Sequence, residues 1–211
     1  MTLEQYIERE ILPRYEAFDA GHRVSHARDV IRQSAEIVSR LRARGVDVDG
    51  TMAYAAAAYH DLGLVGGRER HHLVSGEIVR ADAALRRWFS EEQIEVIAQA
   101  VEDHRASAKS APRSIYGRIV SEADRLIVPG QVIGRAVAYG LTNYPDLDRE
   151  GQWERVSAHV LRKYGHGGYL RLWFDDSPQA EALERLRAII HDEAAFRAEF
   201  DRAYTWLTSG E

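Results

Sequence analysis

Tyr59-His60-Asp61-Leu62-Gly63 follows an alanine-rich segment, Ala53 and Ala55 to Ala58, and the fold turns on how this stretch is read. Small side chains let a helix pack closely on its neighbours, and a glycine just past the last turn is the usual helix stop. The stretch reads as the end of a buried helix, with an imidazole and a carboxylate at the mouth of a core. Adjacent helical residues diverge by about 100°. His60 and Asp61 cannot stack, but an ion placed between them is within reach of both.

Working outward, the periodicity is helical throughout, and no segment alternates as a strand does. Leu3, Ile7, Ile11 and Leu12 mark a short first helix ending near Pro13. Val24, Ala27, Ile31, Val38 and Leu41 place a second between about His22 and Ala43, stopped by Gly45. The alanine-rich helix spans Asp49 to Asp61, and another runs from about His71 to Trp88 after the Gly66-Gly67 loop. Ser90 with Gln93 forms a capping box ahead of Ile94, Ile97 and Val101, and that helix ends near His104. Pro112 opens the next, which carries Ile127 and Val128 up to a break at Pro129-Gly130. Further helices follow at about 131–141, 150–164, 179–191 and 193–207. The expectation is an all-α bundle: a helical core over residues 1–130 and a helical extension over 131–211 packed on it, as one structural domain.

Composition limits the function. The chain has 211 residues, 45% of them hydrophobic and 29% charged, as an ordinary soluble globular protein has. Its formal net charge of −5 argues against a general binder of nucleic acid or anionic membrane. A small anionic substrate in a local basic pocket remains compatible. The absence of cysteine removes disulfides, thiolate nucleophiles, iron–sulfur clusters and cysteine-type zinc sites, so His, Asp or Glu must hold any metal. Met1 to Glu10 has no basic or apolar leader region, and no apolar run approaches the roughly 20 residues of a membrane span. The expected compartment is the cytoplasm.

Several polar residues interrupt apolar stripes. His26 lies beside Val30 and four positions after His22. His72 shares a face with Gly76 and Val79, His104 continues the stripe Ile94, Ile97, Val101, and Asp124 sits four residues from both Val120 and Val128. One histidine on an apolar face is more often a hydrogen-bonded core residue than a ligand, and a buried carboxylate is normally paired, hydrogen-bonded or metal-bound. His26, His60, Asp61, His72, His104 and Asp124 come from five helices, which favours one shared site over five separate core contacts. His191-Asp192, in a charged helix without such companions, reads as solvated surface, as do His159 and His166.

The order His26, His60-Asp61, Asp124 resembles the H…HD…D signature of the HD-domain superfamily of metal-dependent phosphohydrolases. The local contexts are similar too: His22-Arg23-Val24-Ser25-His26, His60-Asp61-Leu62-Gly63 and Glu122-Ala123-Asp124-Arg125. His72 with Gly76, and His104-Arg105, resemble the added motifs of members with two metals, and the likeness covers about residues 20–128. His71 and His72 are adjacent, and only one can point inward; His72 is preferred because it falls four residues before Gly76.

By this resemblance His26, His60, Asp61 and Asp124 would hold a first ion, and Asp61, the one catalytic carboxylate, would bridge to a second held by His72 and His104. A sulfur-free donor set suits Mn, Fe, Co, Zn or Mg, as one ion or two. The implied reaction is attack of a metal-activated water on a phosphoester or phosphoanhydride of a nucleotide or other small phosphorylated metabolite. Arg105 and Lys109, in a run free of acids from Arg105 to Val120, are the first candidates to grip phosphate, with Arg113 and Arg118 in the same run. Arg23 and His22 are further candidates for substrate contact. The competing functions are an HD-fold di-iron oxygenase and, ranked last, a non-catalytic metal- or nucleotide-binding module. No membrane partner and no dedicated nucleic-acid-binding module are expected, and a homodimer through the C-terminal helices stays open.

Overall fold

The computed structural model describes residues 1–19, 22–105 and 110–209. Among them every regular element is helical: α1 Leu3–Tyr6, α2 Val24–Ala43, α3 Gly50–Tyr59, α4 His71–Ala81, α5 Glu91–Glu102, α6 Ile115–Ala123, α7 Pro129–Asn143, α8 Arg149–Tyr164, α9 Pro178–Ile190 and α10 Glu193–Thr208. The chain divides into two compact units, Met1–Leu126 and Ile127–Glu211. No helix among the described residues is long and apolar enough to cross a membrane.

In the first unit α3 is the axis. Its alanines Ala55 to Ala58 are fully buried, and α2, α5 and α6 pack around it. With so little side chain in the way, neighbouring backbones approach closely, and the larger residues Ile97, Val101 and Val120 fill the space between them. The second unit has its own core, in which Val137, Val156, Leu186 and Phe200 meet from α7, α8, α9 and α10.

Local chemistry sets most boundaries. Thr2 and Ser90 form full capping boxes with Gln5 and Gln93, and Asp49, Ser114, Asp148, Ser177 and Asp192 cap their helices through the side chain. Four boundaries differ from those the sequence suggests. The path does not stop near Pro13, because a π turn at Ile7–Ile11 and a 3₁₀ turn at Leu12–Ala17 carry it on, with Pro13 in the first turn where its missing N–H costs nothing. The helix expected to reach Trp88 breaks after Ala81, where the Asp82 carboxylate turns back to cap Ala84 and accepts the hydroxyls of Tyr6 and Tyr59. Ser114, not Pro112, opens α6, which ends at Ala123. Pro129 begins α7 instead of breaking a helix, its ring fixed in the geometry a first turn needs.

Gly63 also acts differently from a helix stop. The α-helix has already ended at Tyr59, and Gly63 lies in the 3₁₀ turn Leu62–Gly66 without a positive φ. It supplies room. A Cβ there would stand 2.0 Å from the His71 carbonyl oxygen and 2.5 Å from the Ser75 nitrogen. Its amide donates to Ser75 Oγ at 2.7 Å, so the turn after the His-Asp pair lies directly against the first turn of α4.

Candidate metal centre

The close approach at Gly63 brings the end of α3 to the start of α4, and α2, α5 and α6 bring the remaining residues to the same point. His60 Nε2 lies 3.3 Å from His26 Nε2 and 3.2 Å from Asp61 Oδ2. Asp124, at the C-cap of α6, places Oδ1 3.1 Å from His26 Nε2 and 3.8 Å from His60 Nε2. On the other side of Asp61, Oδ1 lies 3.5 Å from His71 Nε2 and 3.4 Å from His104 Nε2, and those two nitrogens are 3.1 Å apart. Asp61 thus gives one oxygen to each of two groups, His26-His60-Asp61 and Asp61-His71-His104, either of which could hold an ion.

The tautomers follow from the backbone. His60, His71 and His104 each place Nδ1 on the carbonyl three residues earlier: Ala57 at 2.8 Å, Arg68 at 2.7 Å and Val101 at 2.5 Å. A carbonyl only accepts, so each Nδ1 donates, and the neutral ring turns its Nε2 lone pair towards the cluster. Between His71 and His104 two lone pairs therefore face each other, with the Asp61 carboxylate beside both. Something positive belongs there. A proton can bridge two of these atoms, whereas a cation serves all three. Ligands held about 2.0–2.2 Å from one ion lie roughly 3 Å or slightly more from each other, and the observed separations fit that spacing.

The charges agree with a cation site. Burial opposes ionisation of Asp61, yet the surrounding His60 and His104 imidazoles hold its carboxyl far below the usual range. Asp124 is likewise held low against burial, by His26 and His60. Burial works against a charged His60, but Asp61 and Asp124 prevail and raise its pKa to about 9. The site is a negative pocket lined with imidazoles, and it takes up a positive charge in one form or another.

His71 therefore replaces His72 in the cluster. Both precede a buried small residue by one turn, Ser75 for His71 and Gly76 for His72, but the Gly63 turn is seated on the His71 side. The Nδ1 atom of His72 is buried without a hydrogen-bond partner and belongs to neither group. Gly76 serves another contact, since a Cβ there would meet Glu102 at 2.6 Å.

The expected substrate residues fare unevenly. Arg105 donates to the Glu69 carbonyl at 2.8 Å, and its charge, after burial, helps to lower the pKa of both His71 and His72, so it lies beside the second group. His22 stands by the first group, its ring centroid 5.9 Å from that of His26, with Asp19 on one nitrogen and Arg68 on the other. Arg23 is exposed at the N-cap of α2. Lys109 lies outside the described residues. Arg113 is engaged by Asp103 and Glu102, tying it to the end of α5 and away from a role on phosphate.

Two further residues belong to the site. Tyr15 is fully buried, donates to the Ala58 carbonyl at 2.9 Å and accepts the Asp61 amide at 3.3 Å, which fixes the backbone that carries the bridging carboxylate. Arg68 supplies the carbonyl that orients His71 and reaches His22 with its guanidinium at 3.2 Å. A Tyr15→Phe substitution leaves two buried backbone groups without partners, at about 1–3 kcal/mol each. Its metal affinity should fall about 10–100-fold, as for other outer partners of a metal site. Titrating the metal-free protein with Mn²⁺ or Co²⁺ checks this, and unchanged affinity would remove Tyr15 from the site.

A family model of the HD domain matches residues 23–128, and the chain belongs to this family, the HD superfamily of metal-dependent phosphohydrolases. No curated protein and no solved structure matches it.

Proposed function

We propose that the protein is a metal-dependent phosphohydrolase that cleaves a phosphoester or phosphoanhydride bond of a nucleotide or another small phosphorylated metabolite. The observation that carries the reading is the pair of facing Nε2 atoms, His71 and His104, with Asp61 turning its second oxygen to His26 and His60. Divalent ions held there would supply Lewis acidity for a phosphoryl oxygen and lower the pKa of a coordinated water. The protein's own share is positioning. His60, His71 and His104 are locked by their carbonyl partners, so little reorganisation is needed when the substrate arrives. Arg105 and Arg68, near the two groups, offer guanidinium forks suited to phosphate oxygens. No side-chain nucleophile is needed, in keeping with a chain without cysteine.

The test is phosphate release from a panel of nucleoside mono-, di- and triphosphates, with and without chelator. Release with at least one substrate, abolished by chelator and restored by a divalent ion, is expected. Two bound irons with oxygen uptake and no phosphate release would turn the reading to the oxygenase. A nucleotide retained without turnover would turn it to a binding module.

The choice between adjacent histidines gives a sharper result. His71→Ala should lower metal affinity at the second group and cut phosphate release at least 100-fold. His72→Ala should keep both within about threefold, because its ring is outside the cluster. Equal losses in the two variants would contradict the assignment.

A further inference from the structure

The C-terminal unit carries a second concentration of polar chemistry that the metal centre does not use. A cavity of about 330 Å³ opens along α7 and α8, near the lower end of the size range of small-molecule sites. Its floor is apolar, and its walls carry Arg135 and Tyr139 from α7 with Arg155, His159, Lys163 and Tyr164 from α8. Among the described residues no aspartate or glutamate lines it, in a chain whose formal net charge is −5.

The pattern comes from helical spacing. Arg155, His159 and Lys163 recur every fourth residue, as do Arg135 and Tyr139, so each set forms one stripe on its helix. Among the described residues Arg155 hydrogen-bonds to neutral oxygens, the Ala136 carbonyl and Gln152 Oε1, and lies 5.8 Å from the centroid of the Tyr139 ring. Lys163 Nζ lies 5.0 Å from the Tyr164 centroid. Burial, followed by the charges of Lys163, Arg162 and Arg155, pushes the His159 imidazole pKa down. Sequence periodicity reads His159 as solvated surface, but the structure puts it in the cleft wall.

We propose that this cleft binds a small phosphorylated anion, its phosphate against Arg135, Arg155 and Lys163. Phosphate matches the guanidinium fork and the ammonium point charge. Tyr139 is 57% exposed at the mouth and offers a face on which a nucleotide base can stack. The cleft is built by residues of the second unit alone and shares no residue with the metal centre, so its binding does not depend on the hydrolase reading.

The test is titration calorimetry of the full chain with pyrophosphate and with adenosine diphosphate. Chelator in the buffer strips the metal centre so that it does not contribute. Binding of at least one probe, weakened at least tenfold in the Arg135→Gln/Lys163→Gln double variant, is expected. That variant should keep wild-type melting behaviour and, assayed with metal, wild-type phosphate release. Tighter binding of the diphosphate, lost in Tyr139→Ala, would assign a nucleotide. Equal affinity for both probes would assign the phosphate group alone. Both outcomes support the site. No binding of either probe at millimolar concentration, or equal binding by wild type and double variant, overturns it.

Discussion

Asp61→Ala will empty both metal groups at once and lower phosphate release by three orders of magnitude or more. Its effect should exceed that of any other single substitution in the cluster, because each histidine serves one group whereas the Asp61 oxygens serve both. Losing an outer partner of a metal site costs about 10–100-fold. Losing a shared ligand removes charge and donor atoms from both ions together. The fold should survive. The carboxylate is ionised among imidazoles, and without it the His60 pKa, raised by Asp61 and then Asp124, moves down, which favours the neutral ring that burial already prefers. Metal analysis and phosphate release on the same sample check the expectation. A variant that keeps one full equivalent of metal would show that Asp61 does not link the groups.

Gly63→Ala is expected to be the most damaging substitution that adds a single carbon. Overpacking usually costs about 1–3 kcal/mol. Here the new Cβ would meet backbone at 2.0 Å and 2.5 Å, the His71 oxygen and the Ser75 nitrogen, and backbone cannot rotate aside. A loss of about 3 kcal/mol or more follows, or a drop in melting temperature on the order of 10 °C for a chain of this size. Metal affinity should fall with it, because His71 is displaced from Asp61. Gly134→Ala is the contrasting case. Nothing lies within 4 Å of its Cβ position in α7, so the change should be neutral or slightly stabilising. Similar melting temperatures for the two variants would mean that the Gly63 contact is slack.

These effects rest on contacts of unequal legibility. The all-α class, the capping box at Ser90 and the inward faces of α2, α3 and α5 are local properties, written in periodicity and cap residues. His26, His60, Asp61, His104 and Asp124 could be picked out because each interrupts an apolar stripe or ends a buried helix. Asp124 was legible for a reason only half right. Val120 is buried beside it, but Val128 lies outside α6 and is 45% exposed.

What the sequence hides is decided at long range. His71 and His72 have equivalent local patterns, and a contact from twelve residues earlier, Gly63 to Ser75, separates them. Tyr15 looks like a loop residue after Pro13, yet its hydroxyl meets Asp61 across 46 positions of sequence. Arg68 sits in what reads as a plain loop and becomes part of the site only when that loop returns to His22, just ahead of α2. The boundaries at Ala81 and Ile115 depend on the bonds Asp82 and Ser114 make in the folded chain, which composition alone does not reveal.

The most direct test of the central claim is the metal content of the purified chain, measured for wild type, His60→Ala and His71→Ala after equilibration with Mn²⁺, Fe²⁺ or Zn²⁺. Wild type should hold two equivalents of at least one of these ions, His60→Ala should lose metal from the first group and His71→Ala from the second, and phosphate release should fall with each. Wild-type protein that is folded yet binds no metal under any of these conditions would contradict the claim, leaving the imidazoles and carboxylates around Asp61 as a proton-bridged core.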